Sequence, residues 1–281
     1  MKTKITELFG HPTRIGKAVD WRATVKAQHC PYLGNTCIKV RKSQPDISIG
    51  TCTVVYGETD TIICPHRLPE RRQVFTDCIH LLGLHEPGNE LHVVGEMSVP
   101  GGNVDYFLVS ARNRKVIDFV GIEFQTLDTT GTVWPERQRF VASMGISVPG
   151  AERESPKTFG MNWKMTAKTT LVQLHHKIET FEHISKHLVL VIQDNFFAYM
   201  RKEFSFAHLH NPALIGDPMH IHGYRLVERK ADYRLVLQER FSTDTAGIAT
   251  CLGLQASAKV ELAVIVAAIE KKLSDRTVFS I

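Results

Sequence analysis

The chain has 281 residues, 43% of them hydrophobic and 22% charged, with a formal net charge of +5. That balance is ordinary for a folded globular chain with one substantial core, and no internal repeat or low-complexity segment is visible. The excess of positive charge mildly favours a polyanionic partner, while the longest strongly apolar run, Leu262 to Ile269, is too short to cross a bilayer.

The opening MKTKITELFGHP contains no continuous apolar region, so it does not read as a signal peptide, and a cytoplasmic, reducing location is expected. Residues 1–65 look irregular, with short strand-like runs at Cys52 to Tyr56 and Thr61 to Cys64. Between Trp21 and Pro45 lie Arg22, Lys26, Lys39, Arg41 and Lys42, with no acidic residue among them. A helix is predicted to start at Leu68-Pro69-Glu70, because proline is tolerated in a first turn and glutamate suits the positive helix end. Val74, Phe75, Cys78, Leu81 and Leu82 fall on one helical face.

Three strands are predicted next, at Leu91–Val99, Val104–Val109 and Val116–Leu127, the last bent near Gly121. Pro100-Gly101-Gly102-Asn103 supplies turn chemistry between the first two. A second helix is predicted over Thr166–Lys186, with Leu171, Leu174, Ile178 and Phe181 on one face, followed by a buried strand at His187–Ile192. Further strands are expected through Ile221–Val227 and Arg234–Leu237, and a last helix near Ala256–Lys272. The succession of helix, three-stranded meander, helix and strand describes an α/β core.

Within that core, Glu123 and Gln125 should emerge from one strand face, with Ile122 and Phe124 on the other, because side chains alternate with period two. If the second and third strands pair as a hairpin, Asp105 stands beside Glu123. Two carboxylates interrupting apolar strands are costly unless something holds them. Magnesium prefers oxygen ligands and keeps open positions when only two or three protein groups bind it. Asp105 and Glu123, with the Phe124 carbonyl as a third donor, suit such an ion, which would offset charge on a phosphate and acidify a bound water. Gln125 can orient that water but cannot act as its base, since an amide does not titrate in the useful range. Glu96, on the preceding strand, is a further acidic candidate, with Glu90 as a weaker one. The structural alternative is a pair of solvated carboxylates, or carboxylates paired with arginines such as Arg112 and Arg114.

Four of the six cysteines follow the spacing Cys30-x6-Cys37-x14-Cys52-x11-Cys64. No gap is the Cys-x2-Cys knuckle of a common zinc finger, so metal ligands, free thiols and disulfides all stay open. Their concentration in a polar segment favours a metal that cross-links loops, and four thiolates suit iron and zinc alike. Cys78 reads as a core residue. Lys39, Arg41 and Lys42 flank this cluster and are candidates for phosphate contact. Arg137, Gln138 and Arg139 have side chains suited to base edges, although helix pairing with Glu136 is an alternative. Lys164 and Lys168, near the start of the Thr166 helix, are further phosphate candidates.

Taken together, these residues resemble the PD-(D/E)xK nuclease superfamily in the variant where glutamine replaces lysine, and more narrowly the restriction endonuclease NotI family. The matching stretches are Cys30-Pro31-Tyr32 with Cys37, Gly50-Thr51-Cys52, Ile63-Cys64-Pro65, the Gly-Gly-Asn-Val-Asp-Tyr run ending at Tyr106, Gly121-Ile122-Glu123-Phe124-Gln125-Thr126-Leu127-Asp128, and Trp134-Pro135-Glu136. The resemblance extends from about residue 25 to residue 200 and is thinner towards the C-terminus. The resemblance implies a restriction-endonuclease-like core with a mixed β-sheet flanked by helices at 66–281, and an N-terminal four-cysteine metal-bound module at 1–65. It implies Asp105, Glu123 and Gln125 as catalytic residues with Mg2+, and structural iron on Cys30, Cys37, Cys52 and Cys64. It further implies a homodimer that cuts both strands of palindromic, GC-rich duplex DNA. A repair or structure-specific nuclease, and a non-catalytic metal-stabilised DNA-binding module, are the competing readings.

Overall fold

In the computed structural model, residues 3–16 and 18–253 are described, together with 266–267 and 270–271. Most of the helix expected near Ala256–Lys272 therefore lies outside the described residues.

The segment expected to be largely irregular carries its own sheet, which includes the short strands expected at Cys52–Tyr56 and Thr61–Cys64. Strands β1 (Ile5–Leu8), β2 (His11–Pro12), β3 (Thr51–Tyr56) and β4 (Thr59–Ile62) pair in the order β2-β1-β3-β4. Between them lie a short helix, α1 (Trp21–Ala27), and two small ribbons, His29–Cys30 with Asn35–Thr36 and Val40–Arg41 with Gln44–Ser48. This N-terminal segment is not a polar appendage. Ile5, Leu8, Phe9, Val54 and Ile63 are buried in the same hydrophobic cluster as Leu127, Leu190 and Ile192. A buried ion pair adds to that joint: Arg67 Nε lies 2.9 Å from Glu7 Oε2, and Arg67 Nη2 donates to the Tyr233 carbonyl at 3.0 Å.

The central sheet is mixed. Its strands are β5 (Glu90–Val99), β6 (Gly102–Arg112), β7 (Lys115–Gln125), β8 (His187–Gln193), β9 (Met219–Glu228) and β10 (Tyr233–Thr243), in the order β10-β9-β8-β7-β6-β5. The β7–β8 and β8–β9 pairs are parallel and the others antiparallel. Parallel neighbours need a crossover, and helices α2 (Trp134–Ser143), α3 (Trp163–His183) and α4 (Asp194–Glu203) lie in those connections. One face of the sheet packs Phe107, Val109, Leu188, Leu190 and Ile192 against Leu171, Leu174, Ile178 and Phe181 of α3 and Phe196 and Phe197 of α4. The other packs Leu108, Val120, Ile122, Phe124, Val189 and Val191 under Leu68, Val74, Phe75, Cys78, Leu81 and Leu82. Both faces are thus covered, the usual condition of a sheet with parallel strands. Among the described residues, no helix is long and apolar enough to cross a membrane.

The helix expected from Leu68 is a correction. Its apolar residues are buried as the periodicity required, but the backbone runs through separate short turns at Glu70–Arg72, Gln73–Thr76 and Ile79–Leu81. Arg71 and Arg72 have φ of 54° and 59°, a left-handed conformation that an α-helix of L-residues cannot continue through. The register slip in the β6–β7 pair falls between Ser110 and Ala111, and the pairing runs without a shift through Gly121. Gly121 has a packing role. A Cβ there would lie 2.5 Å from the Phe181 ring, so its bare backbone is what lets α3 settle on the sheet.

Candidate active site and cysteine cluster

The β6–β7 register aligns Tyr106 with Ile122. Continuing that ladder by one residue brings Asp105 opposite Glu123, on the face covered by α3, since β7 Glu123 also pairs with the core residue Leu190 of β8. The hairpin needed to bring the two carboxylates together therefore forms. Asp105 Oδ2 accepts a hydrogen bond from the Phe124 amide at 2.7 Å, which fixes its carboxylate at the strand end. Burial nevertheless raises its pKa, against the pull of that amide and of Lys177. Glu123 is raised further, to about 7, chiefly by burial and with Asp105 adding repulsion, while Lys177 opposes the shift. Both are the expected responses of carboxylates placed together in a low-dielectric site.

Lys177 is the residue that strand periodicity could not reveal. It lies on α3, its side chain is 9% exposed, and its Nζ stands 2.8 Å from Glu123 Oε1. That oxygen has an ion-pair neighbour but no directed hydrogen bond, so it keeps capacity for another electropositive partner. The arginines considered from the sequence, Arg112 and Arg114, form no ion pair with either carboxylate. A sequence signal for Lys177 did exist. It follows His176 on the buried side of α3, between Leu174 and Ile178, where a lysine needs an anion.

The remaining acidic and amide candidates are looser. Glu96 is exposed on β5 and accepts from Asn103 Nδ2 at 2.8 Å, although its charge is felt at Asp105. Gln125 lies beside Glu123 on β7, but its Nε2 donates to the Thr126 carbonyl at 2.7 Å. His66, on the turn after Cys64, is near enough to Asp105 for each charge to influence the other. It was not singled out from the sequence.

Cys30, Cys37, Cys52 and Cys64 line a single small cavity of about 10 Å3, with His66 and Lys39 at its wall. Cys30 comes from a ribbon strand, Cys37 from the residue after its partner strand, Cys52 from β3 and Cys64 from the exit of β4. The Ile63 amide donates to the Cys52 carbonyl at 3.0 Å. All six cysteines are free thiols, which removes the disulfide alternative. The Cys64 thiol is lowered to about 6, first by its hydrogen bond with Cys52 and also by Lys39, while Cys52 is raised by the same bond and by burial. Burial also raises Cys37. Four sulfur atoms are a donor set that a soft cation would suit once they are ionised. Among the described residues, however, no three His, Cys, Asp or Glu side chains stand as an assembled metal site. Cys78 lies in the core, as its helical-face position implied.

The basic candidates separate into two groups. Lys42, Lys164 and Lys168 are exposed. Lys39 donates to the Ile63 carbonyl at 3.1 Å, and Arg41 pairs with Glu152 and lies over the Trp134 ring. Arg137 is 3% exposed and Gln138 is 4% exposed. Arg137 donates to the Ile49 carbonyl and to Gln138, and Gln138 donates to Glu152. In this arrangement their polar groups brace α2 against the N-terminal region and do not face solvent. Arg139 is partly exposed, pairs with Glu136 at 2.8 Å and donates to the carbonyls of Arg153 and Ser155.

Comparison with family models and with curated proteins returns no match. The likeness to the nuclease family accordingly rests on the sequence stretches quoted above alone.

Proposed function

We propose that the chain is a magnesium-dependent endonuclease that hydrolyses both strands of duplex DNA at a specific, palindromic, GC-rich site. The observation that carries this reading is the pairing of Asp105 and Glu123 at the end of adjacent strands, buried enough to raise both pKa values. A stable core gains nothing from two facing carboxylates, whereas a hard divalent cation needs such a pair.

When bound between them, Mg2+ would supply positive charge against the scissile phosphate and lower the pKa of its water. Asp105 is already oriented by the Phe124 amide, so little rearrangement is needed to present its free oxygen. Glu123 presents an oxygen with unused acceptor capacity. Gln125, released from Thr126, is placed to orient a water by hydrogen bonding. Lys42, Lys164 and Lys168 would meet backbone phosphates, which give affinity and register without reading sequence. One carboxylate pair serves one strand, so cutting both strands calls for a homodimer with two-fold symmetry. Cys30, Cys37, Cys52 and Cys64 would hold iron or zinc as a cross-link between loops.

Plasmid digestion with the intact protein and magnesium, followed by mapping of the ends, tests this reading. Cleavage at one discrete duplex sequence is expected. Cutting governed by lesions or branches would point to a repair or structure-specific nuclease instead. Tight binding without any cleavage would point to a non-catalytic binding module.

A further inference from the structure

We propose that Lys177 is the internal cation of the carboxylate site: it tethers Glu123 while no metal is bound, then yields that carboxylate to the metal and directs its charge to the scissile phosphate. The inference rests on the nuclease reading and adds a residue from outside the Glu123-Phe124-Gln125 strand segment.

The placement is built into the backbone. A Cβ on Gly101 would stand 2.3 Å from the His176 carbonyl oxygen, and one on Gly121 would stand 2.5 Å from the Phe181 ring. A Cβ on Gly102 would lie 3.3 Å from Lys177 Cε. Three glycines in the β5–β6 turn and on β7 thus let α3 sit directly on the hairpin, with the lysine stem running past Gly102 to Glu123. Gly101 also has φ of 93° and Gly102 of 134°, a backbone region that disfavours side chains at both positions, and at Gly101 the His176 carbonyl adds a steric bar.

The chemistry explains why a cation belongs there. Gln125 carries no charge, and its amide is bonded to the Thr126 carbonyl. Among the described residues, Lys177 is the only basic side chain at ion-pair distance from Asp105 or Glu123. With its ammonium the ionised pair has one net negative charge, which a divalent cation converts to one positive charge. That inversion matches a phosphodiester, which carries a single negative charge. The ammonium and a metal would draw on the same Glu123 carboxylate, and repulsion between the two cations would weaken the tether. A lysine freed in this way has a flexible stem and three donors with which to reach a phosphate oxygen.

Lys177→Met keeps the stem and removes the charge, and Lys177→Gln serves as a second neutral variant if the first fails to fold. Two measurements are needed on the full chain: manganese affinity without DNA, by calorimetry, and a magnesium cleavage time course at saturating DNA. Removing the competing ammonium is expected to tighten manganese binding by about threefold or more. Losing the charge near the transition state should slow cleavage by about 10²-fold, with Lys177→Arg recovering part of the rate. Weaker or unchanged manganese binding by both neutral variants, or cleavage within a few-fold of wild type, would overturn the proposal. If the wild-type protein cuts no DNA, the nuclease reading fails by itself. Manganese affinity then still decides whether Lys177 and a metal compete for Glu123.

Discussion

The carboxylate site and the cysteine cluster are built in opposite ways. Asp105 and Glu123 sit on β6 and β7, whose ladder is continuous on both sides, with β5 beyond one strand and β8 beyond the other. Their positions follow from backbone hydrogen bonds that form whether or not a ligand is bound. The four cysteines come from a ribbon, from β3 and from the exit of β4, and the small cavity they share is also lined by Phe9, Leu33 and Ile38. The first site is preorganised by the sheet. If the four thiols hold a metal as proposed, that ion would cross-link the loops, so the two sites should respond differently to metal removal and to mutation.

The largest expected difference is in metal-dependent stability. Freshly prepared protein should contain about one iron or zinc per chain, and Cys52→Ser should lose that metal along with several kcal/mol of stability, as structural thiolate sites typically contribute. Removing magnesium should leave the melting temperature almost unchanged. Elemental analysis showing no transition metal would erase this contrast between the regions.

A smaller loss is expected where the helix meets the sheet. Gly121→Val places new atoms against Phe181 and Leu188, and overpacking of this kind typically costs about 1–3 kcal/mol. Urea denaturation checks the value, and a neutral result would mean that α3 is not seated as described.

A pH effect should appear away from both sites. Burial lowers His220 to about 4 and His222 to about 3, and each has a ring nitrogen without a partner. The unfolded chain protonates near pH 6.5 while the folded chain resists, so this stability is full above pH 6.5 and declines as pH falls towards 3–4. His222→Leu should flatten part of that decline in melting curves between pH 7 and 4. An unchanged slope would show that His222 is not its source.

The mildest change is Gln125→Ala, which loses an orienting hydrogen bond but no proposed metal ligand. A decrease of roughly tenfold in cleavage rate is expected, equivalent to about 1.4 kcal/mol. A drop as severe as that of a carboxylate variant would make Gln125 a metal contact.

Much of the central sheet was legible because its apolar runs alternate and are bounded by clear turns. The predicted meander at Leu91–Val99, Val104–Val109 and Val116–Leu127 corresponds to β5, β6 and β7, and the Thr166 helix to α3. The facing of Asp105 and Glu123 followed from strand periodicity once the two strands were taken to pair as a hairpin. Local patterns failed where distant contacts decide conformation. The Leu68 segment had helical periodicity, yet Arg71 and Arg72 leave helical space, and Arg71 Nη2 meets Asp232 at 3.3 Å, far along the chain. Strands β1 to β4 are short and draw their burial from the main core, so residues 1–65 looked irregular. Arg137 and Gln138 looked available to bases because sequence cannot show that Glu152 and the Ile49 carbonyl occupy them. Lys177 stood out as a lysine on a buried helical face, but its partner could not be named for a similar reason. Its partner is 54 residues away, and only the descent of α3 onto Gly101 and Gly121 joins them.

The most direct measurement of the central claim combines a calcium gel-shift titration with a magnesium cleavage time course for Asp105→Ala and Glu123→Ala. Both variants should bind the target within a few-fold of wild type, because affinity comes mainly from phosphate and base contacts elsewhere. Each should lose cleavage by about 10³-fold or more, as expected when a catalytic electrostatic contribution is removed. Wild-type cleavage rates in both variants would contradict the assignment of Asp105 and Glu123 as the catalytic pair.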